Sequence, residues 1–133
     1  MDKALGYFSA CVDRRYWQAQ VEAFLKETGL AATDVWFHTE AGGAGKIIEN
    51  EAFAAPNHAH HSGAKVMGWG MHGDRCGGYP GKTDDELKSI HQEAIAAAVK
   101  RYPEATHYGV WSEGEAPDKI KTKVWLVERP KEE

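Results

Sequence analysis

Short runs of β-forming residues alternate with stretches of helical period along this chain, and that alternation restricts its fold more than any other feature. Ala4 to Cys11 is a mostly apolar run that leads into Val12-Asp13-Arg14-Arg15, which reads as a buried strand followed by a turn. From Tyr16 to Thr28, Trp17, Val21, Phe24 and Leu25 recur at helical spacing, with Gln18, Gln20, Glu22, Lys26 and Glu27 facing away. Gly29 is placed to cap that helix. A second strand is expected over Asp34 to His38, and the turn Ala41-Gly42-Gly43-Ala44-Gly45 opens a short helix over Lys46 to Phe53.

Residues 54 to 63 hold Pro56, Asn57, Ser62 and three histidines, and they read as a loop before a third strand, Ala64 to Gly70. Thr83-Asp84-Asp85-Glu86 is a capping box. Its helix carries Leu87, Ile90, Ala94, Ile95 and Ala98 on one stripe and stops before Pro103. Two more strands are expected, around His107 to Trp111 and Thr122 to Glu128, joined by a turn from Glu113 to Pro117. The polar tail over 128–133 is expected to fray.

A length of 133 residues fits one domain. Strands that alternate with helices pair in parallel through right-handed crossovers, each of which lays a helix over the sheet. The expected fold class is α/β, one three-layer domain over residues 1–133 with a mainly parallel central sheet of four to five strands flanked by helices. The last strand, at an edge, would gain by pairing with a second copy, so a homodimer is expected.

Composition narrows the partners. With 42% hydrophobic and 27% charged residues the chain is neither a membrane span nor a disordered segment. Sixteen Lys and Arg against twenty Asp and Glu give a net charge of -4, so nucleic acid is not an expected partner. Met1 to Phe8 shows no secretory pattern, and the expected compartment is the cytoplasm. Two cysteines, Cys11 and Cys76, are too few for a disulfide scaffold and read as reduced thiols.

In α/β sheets of this kind ligands bind beyond the carboxyl ends of strands, where successive connections diverge. Cys11 ends the first strand, and His72 and Cys76 follow the third. If those strands are neighbours, two thiols and an imidazole converge in one crevice, a donor set that suits zinc. A fourth position would stay open to water or a carboxylate. The plainer alternative is that both cysteines are small buried apolar residues and His72 belongs to a loop.

Three further groups have competing readings. His58, His60 and His61 suit a proton shuttle or a second metal, or simply a polar loop. The turn Gly42-Gly43-Ala44-Gly45 could cradle a phosphate, although it lacks the ending of a P-loop. His91 falls on the stripe of the capped helix as a hydrogen-bonded core-edge histidine, and most of the five tryptophans are assigned to core packing.

Cys11-Val12-Asp13-Arg14-Arg15 resembles the Cys-x-Asp-x-Arg signature of β-class carbonic anhydrases. Ala41-Gly42-Gly43 resembles their Ala-Gly-Gly turn, and His72 to Cys76 with Gly77-Gly78 their His-x-x-Cys-Gly segment. The three motifs keep the family's order across roughly residues 4 to 111, so the chain resembles a short, divergent member. It departs by three residues between His72 and Cys76 where the family has two, by Thr39-Glu40 in place of Arg-Asn, and by having no long helical arm before the first strand.

The resemblance implies a zinc lyase. Zinc on Cys11, His72 and Cys76 would lower the pKa of a bound water and present hydroxide to carbon dioxide, giving bicarbonate, with a rate that rises toward alkaline pH. Asp13 would orient that hydroxide or itself take the fourth position. Arg15, paired with Asp13 in preference to Arg14, would hold the carboxylate off the metal. The alternatives are a hydrolase of a similar linear molecule such as carbonyl sulfide, or a non-catalytic zinc-binding domain of the same fold.

Overall fold

In a computed structural model, residues 4–115 and 118–128 are described. Five strands, β1 (Leu5–Cys11), β2 (Val35–Glu40), β3 (Ala64–His72), β4 (Thr106–Glu113) and β5 (Lys121–Leu126), form one sheet in the order β2-β1-β3-β4-β5. The pairs β1–β2, β1–β3 and β3–β4 are parallel, and β4–β5 is antiparallel. Four helices cover it, α1 (Trp17–Thr28), α2 (Gly43–Glu49), α3 (Ala54–His61) and α4 (Asp84–Arg101). The α/β class and the mainly parallel sheet are as expected. Among the described residues no helix is long and apolar enough to cross a membrane.

The side chains of successive β1 residues separate the two layers of core, as a period of two requires. Phe8 and Ala10 pack with Phe24 of α1 and with Val110, and the Phe8 and Phe24 rings stack at 4.8 Å. Tyr7 and Cys11 belong to the other cluster, with Met67, Trp69 and Met71 of β3, Ile47 of α2 and Leu87, Ile95 and Ala98 of α4. Trp69 and Trp111 are buried in that core, whereas Trp125 and Leu126 are exposed on the edge strand β5. Trp36 and Trp17 are partly buried against the two clusters, so core packing accounts for most of the tryptophans.

Four expectations are corrected. Residues 54–61, read as loop, are α3; Pro56 is its third residue, where the missing N–H has no intrahelical acceptor to lose. Ala59 and Pro56 bury one side of the helix, and the Tyr102 hydroxyl donates to Asn57 Oδ1 at 2.6 Å. The second helix starts at Gly43 rather than Lys46 and ends at Glu49 rather than Phe53, because Glu51 takes a left-handed φ of 52°. β2 runs on to Glu40 and β3 to His72, since the parallel ladders continue to Cys11↔Glu40 and His72↔Ser112. The expected turn through Ala116 and Pro117, and the tail from Arg129 onward, lie outside the described residues.

α4 begins as its capping box requires: Thr83 Oγ1 accepts from the Glu86 amide, and Glu86 Oε1 accepts from the Thr83 amide. On its buried stripe His91 donates from Nε2 to the Trp69 carbonyl at 2.8 Å, between the rings of Trp111 and Trp125. Burial pulls the His91 pKa down to about 4. The ring is thus neutral in the fold and titrates near 6.5 once unfolded, so its contribution is whole above pH 6.5 and falls as pH drops from there toward 4. Between pH 8 and pH 5 it should cost about 2 kcal/mol. Urea midpoints at those two values should show His91→Gln losing that much less stability than the parent protein; equal losses would remove His91 as the acid-sensitive group.

The connections set the position of the site. From β1 the chain crosses to β2 on one side, then returns over β1 to β3 on the other. The divergence leaves a crevice at the carboxyl ends of β1 and β3.

Candidate metal centre

Cys11 is the last residue of β1 and His72 the last of β3. A tight loop, Gly73-Asp74-Arg75, then turns the chain back so that Cys76 faces the same crevice. The two sulfurs lie 4.0 Å apart, and the donor atoms of Cys11, His72 and Cys76 are all within 4.8 Å of one another. Thiolates each about 2.3 Å from a shared tetrahedral centre would be separated by about 3.8 Å. All three residues are buried, with His72 wholly inaccessible.

The histidine is presented in the form a metal requires. His72 Nδ1 is 2.7 Å from the Gly73 carbonyl, which can only accept, so that nitrogen carries the proton. Nε2 is left with a lone pair, buried and without a hydrogen-bond partner. A buried unsatisfied nitrogen costs roughly 1–3 kcal/mol and calls for a reason. The ring cannot swing away, because Tyr16 stacks on it at 4.6 Å and is itself tied by its hydroxyl to the Gly114 carbonyl at 2.6 Å. Burial lowers the His72 pKa, yet the Cys11 sulfur and the Gly73 carbonyl outweigh it and leave the pKa raised.

The thiols are held asymmetrically. The hydrogen bond shared with Cys76 holds the Cys11 thiol well below its ordinary pKa against the upward pull of burial, and the Gly42 amide, 3.4 Å from the Cys11 sulfur, adds to it. That same bond and burial push Cys76 up. One proton shared between two sulfurs is an arrangement that a cation could replace.

Asp13 and Arg15 stand beside this group. Arg15 donates from Nε to Asp13 Oδ1 at 3.1 Å and from Nη2 to Oδ2 at 2.8 Å, a two-point grip on one carboxylate. The Arg15 hydrogen bonds hold Asp13 below the usual carboxylate range, and Asp13 in turn raises Arg15. Asp13 Oδ2 still approaches His72 Nε2 to 3.5 Å, so the carboxylate borders the centre without joining the close group of three. Arg14 lines a shallow recess with Val12, Trp17, Gln18 and Thr39 on the other side of the turn.

Compared with family models, curated proteins and solved structures, this chain matches none. The chemistry of the site therefore rests on its own donor set. Those donors fit a metal ion: a buried unpartnered imidazole nitrogen, two thiols at coordinating separation and a tautomer fixed from behind are the features of a cation site and are costly without one.

Other expected residues lie elsewhere. His58, His60 and His61 are on α3 and are not part of this group; His58 meets Trp36 edge-on. The turn at Gly42 does not form an open phosphate cradle, since Gly43, Ala44 and Gly45 are buried. Glu40 accepts from His38 at 3.0 Å, while the Tyr7 hydroxyl donates to the other ring nitrogen at 2.8 Å.

Two contributors were missed by reasoning from sequence. Tyr16 looked like an ordinary helix-start residue. Asp84 looked like the first acid of a capped helix, yet its Oδ1 accepts from the Asp74 amide at 2.8 Å, inside the His72–Cys76 loop. Asp74 and Arg75 both have left-handed backbones, with φ of 51° and 66°, which cost about 1–2 kcal/mol each in a residue other than glycine. The one available signal was the spacing itself, because a three-residue link between converging ligands must bend hard.

Proposed function

We propose that this protein is a zinc lyase that hydrates carbon dioxide to bicarbonate, with Cys11, His72 and Cys76 as metal ligands and Asp13 and Arg15 completing the site. The observation that carries the metal reading is the buried, unpartnered Nε2 of His72 beside two thiols 4.0 Å apart. The family resemblance of the three motifs supplies the substrate. Zinc held by three protein ligands supplies Lewis acidity and a nucleophile at near-neutral pH.

The chain's own groups do the rest. Two thiolates offset the charge of a divalent cation, so the cation can sit in this buried place. Asp13, ionised through Arg15, is an acceptor at the border of the centre and orients a proton-bearing nucleophile there. Arg15 keeps both Asp13 oxygens engaged and so keeps the carboxylate from closing the fourth position. Carbonyl sulfide, of the same linear shape, is an alternative substrate for the same groups. The burial of all three donors, with Asp13 only 3.5 Å from His72, favours a second reading, a closed non-catalytic centre with Asp13 as fourth ligand.

Metal analysis followed by a stopped-flow hydration assay separates these readings. One zinc per chain with hydration that speeds up toward alkaline pH is expected. Arg15→Ala, assayed at saturating zinc, should slow hydration by about tenfold or more, as Asp13 moves onto the metal. Zinc without hydration would select the closed centre. A chain that takes up no zinc would end both readings.

A further inference from the structure

The loop between His72 and Cys76 is held in a costly conformation from two sides. Asp74 and Arg75 are consecutive non-glycine residues with left-handed φ, and the Arg75 side chain, 88% exposed, makes only a long 3.7 Å ion pair with Asp74 Oδ1. Such a backbone persists only where its surroundings over-determine it. From the β1–α1 turn, Arg15 donates to the Asp74 carbonyl at 3.1 Å, the Arg75 carbonyl at 3.0 Å and Asp74 Oδ2 at 3.2 Å. From the opposite side, the first residue of α4 takes the Asp74 amide: Asp84 Oδ1 accepts it at 2.8 Å. The same carboxylate covers Gly73 so closely that a Cβ there would lie 2.6 Å from Asp84 Oδ2.

We infer that Asp84 is a positioning residue of the metal centre, which by accepting the Asp74 amide holds the loop in the conformer that brings His72 Nε2 and Cys76 Sγ to one point. The inference rests on the zinc reading above. Asp84 touches neither sulfur nor imidazole and acts only through the backbone between two ligands. Without it the Asp74 amide loses its acceptor, the left-handed pair is anchored only by Arg15 and by the long contact of the Tyr16 hydroxyl with Asp74 Oδ2 at 3.4 Å, and the loop relaxes toward ordinary backbone. Cys76 is then no longer presented in register with His72, so the metal must bear the cost of ordering the loop when it binds.

A purely structural role for Asp84, as a negative group in the first turn of α4, makes a different prediction. That role depends on charge, whereas accepting an amide proton depends on an oxygen at the Oδ1 position. Asparagine keeps the oxygen and removes the charge. Thr83 and Glu86 are untouched in every variant, so the helix start is preserved.

The test uses the full chain and zinc itself, competed against a chromophoric chelator, with cobalt(II) absorption as a second reading of how many thiolates coordinate. Asp84→Ala should weaken zinc 10- to 100-fold, the range for groups that orient metal ligands, and lower the sulfur-to-cobalt charge-transfer intensity. Asp84→Asn should bind within about threefold of the parent. Should the alanine variant fail to fold, Asp84→Ser, a good first-turn residue whose hydroxyl stops short of the amide, should weaken zinc in the same way. Parent-like affinity and cobalt spectrum in the alanine or serine variant would overturn the inference while leaving the metal reading intact. An asparagine variant as weak as alanine would overturn it in favour of charge. Absence of zinc binding by the parent chain would instead defeat the metal reading, and the inference with it.

Discussion

On the zinc reading, replacing Cys11 with serine is expected to remove most of the stabilisation that zinc gives this chain. A structural zinc site gains an apparent 10–16 kcal/mol from about four ligands, so each thiolate accounts for about 3 kcal/mol or more, roughly a hundred- to a thousandfold in affinity. Zinc that binds the folded chain at a thousand times its dissociation constant stabilises it by about 4 kcal/mol. For a chain of this size that is a rise in melting temperature of roughly 10–20 °C, which a chelator should reverse. Cys11→Ser leaves the Gly42 amide an acceptor and changes little volume, so the metal-free variant should unfold close to the metal-free parent. At the same zinc concentration its midpoint should then rise by only about 2–6 °C. Cys76→Ser should behave alike, whereas a double replacement of His58 and His61 by alanine should keep the full response. A zinc shift retained in Cys11→Ser and lost in the histidine variant would move the metal to α3.

The sequence was informative wherever a side chain and its backbone reported the same thing. Cys11 and His72 lie at strand ends that hydrophobic runs mark out, but the adjacency of β1 and β3 that unites them was a condition in the sequence reading, met only by the sheet order β2-β1-β3. The Asp13–Arg15 pair is local, two residues apart, and its grip could be read from spacing together with the family resemblance. α3 was not legible, because Pro56 and a run of histidines look like a loop and only the burial of Ala59 against the sheet tips the balance toward helix. Asp84 was not legible either. Its identity fits a helix start so well that nothing in sequence suggests a second use, and its contact spans ten residues through a backbone amide rather than a side chain.

Arg15 shows why the loop and the acid cannot be treated separately. One guanidinium holds both oxygens of Asp13 and two carbonyls of the left-handed loop. The three-residue link between His72 and Cys76 is thereby held by the same group that positions Asp13. That spacing is compatible with convergent donors because Arg15 and Asp84 clamp the slack.

Gly43→Ala should be among the most damaging single substitutions in the chain. Gly43 has a φ of 57°, and a Cβ there would lie 2.3 Å from the Gly70 carbonyl oxygen and 3.1 Å from the Cys11 amide nitrogen. Both are backbone atoms of paired parallel strands, so neither can give way as a flexible side chain would; the turn must lift off the sheet or β1 and β3 must part. The left-handed conformation adds about 1–2 kcal/mol for alanine. A loss above about 4 kcal/mol is expected, against a total stability of about 5–15 kcal/mol for an ordinary domain, so much of the variant should be unfolded. Gly77→Ala is the control: nothing lies within 4 Å of its added methyl, and its stability should stay within about 0.5 kcal/mol of the parent. Urea unfolding of the two variants reads the difference. Parent-like stability in Gly43→Ala would mean that the turn does not press against the strand ends, and the Gly42 amide would then lose the support that places it on the Cys11 sulfur.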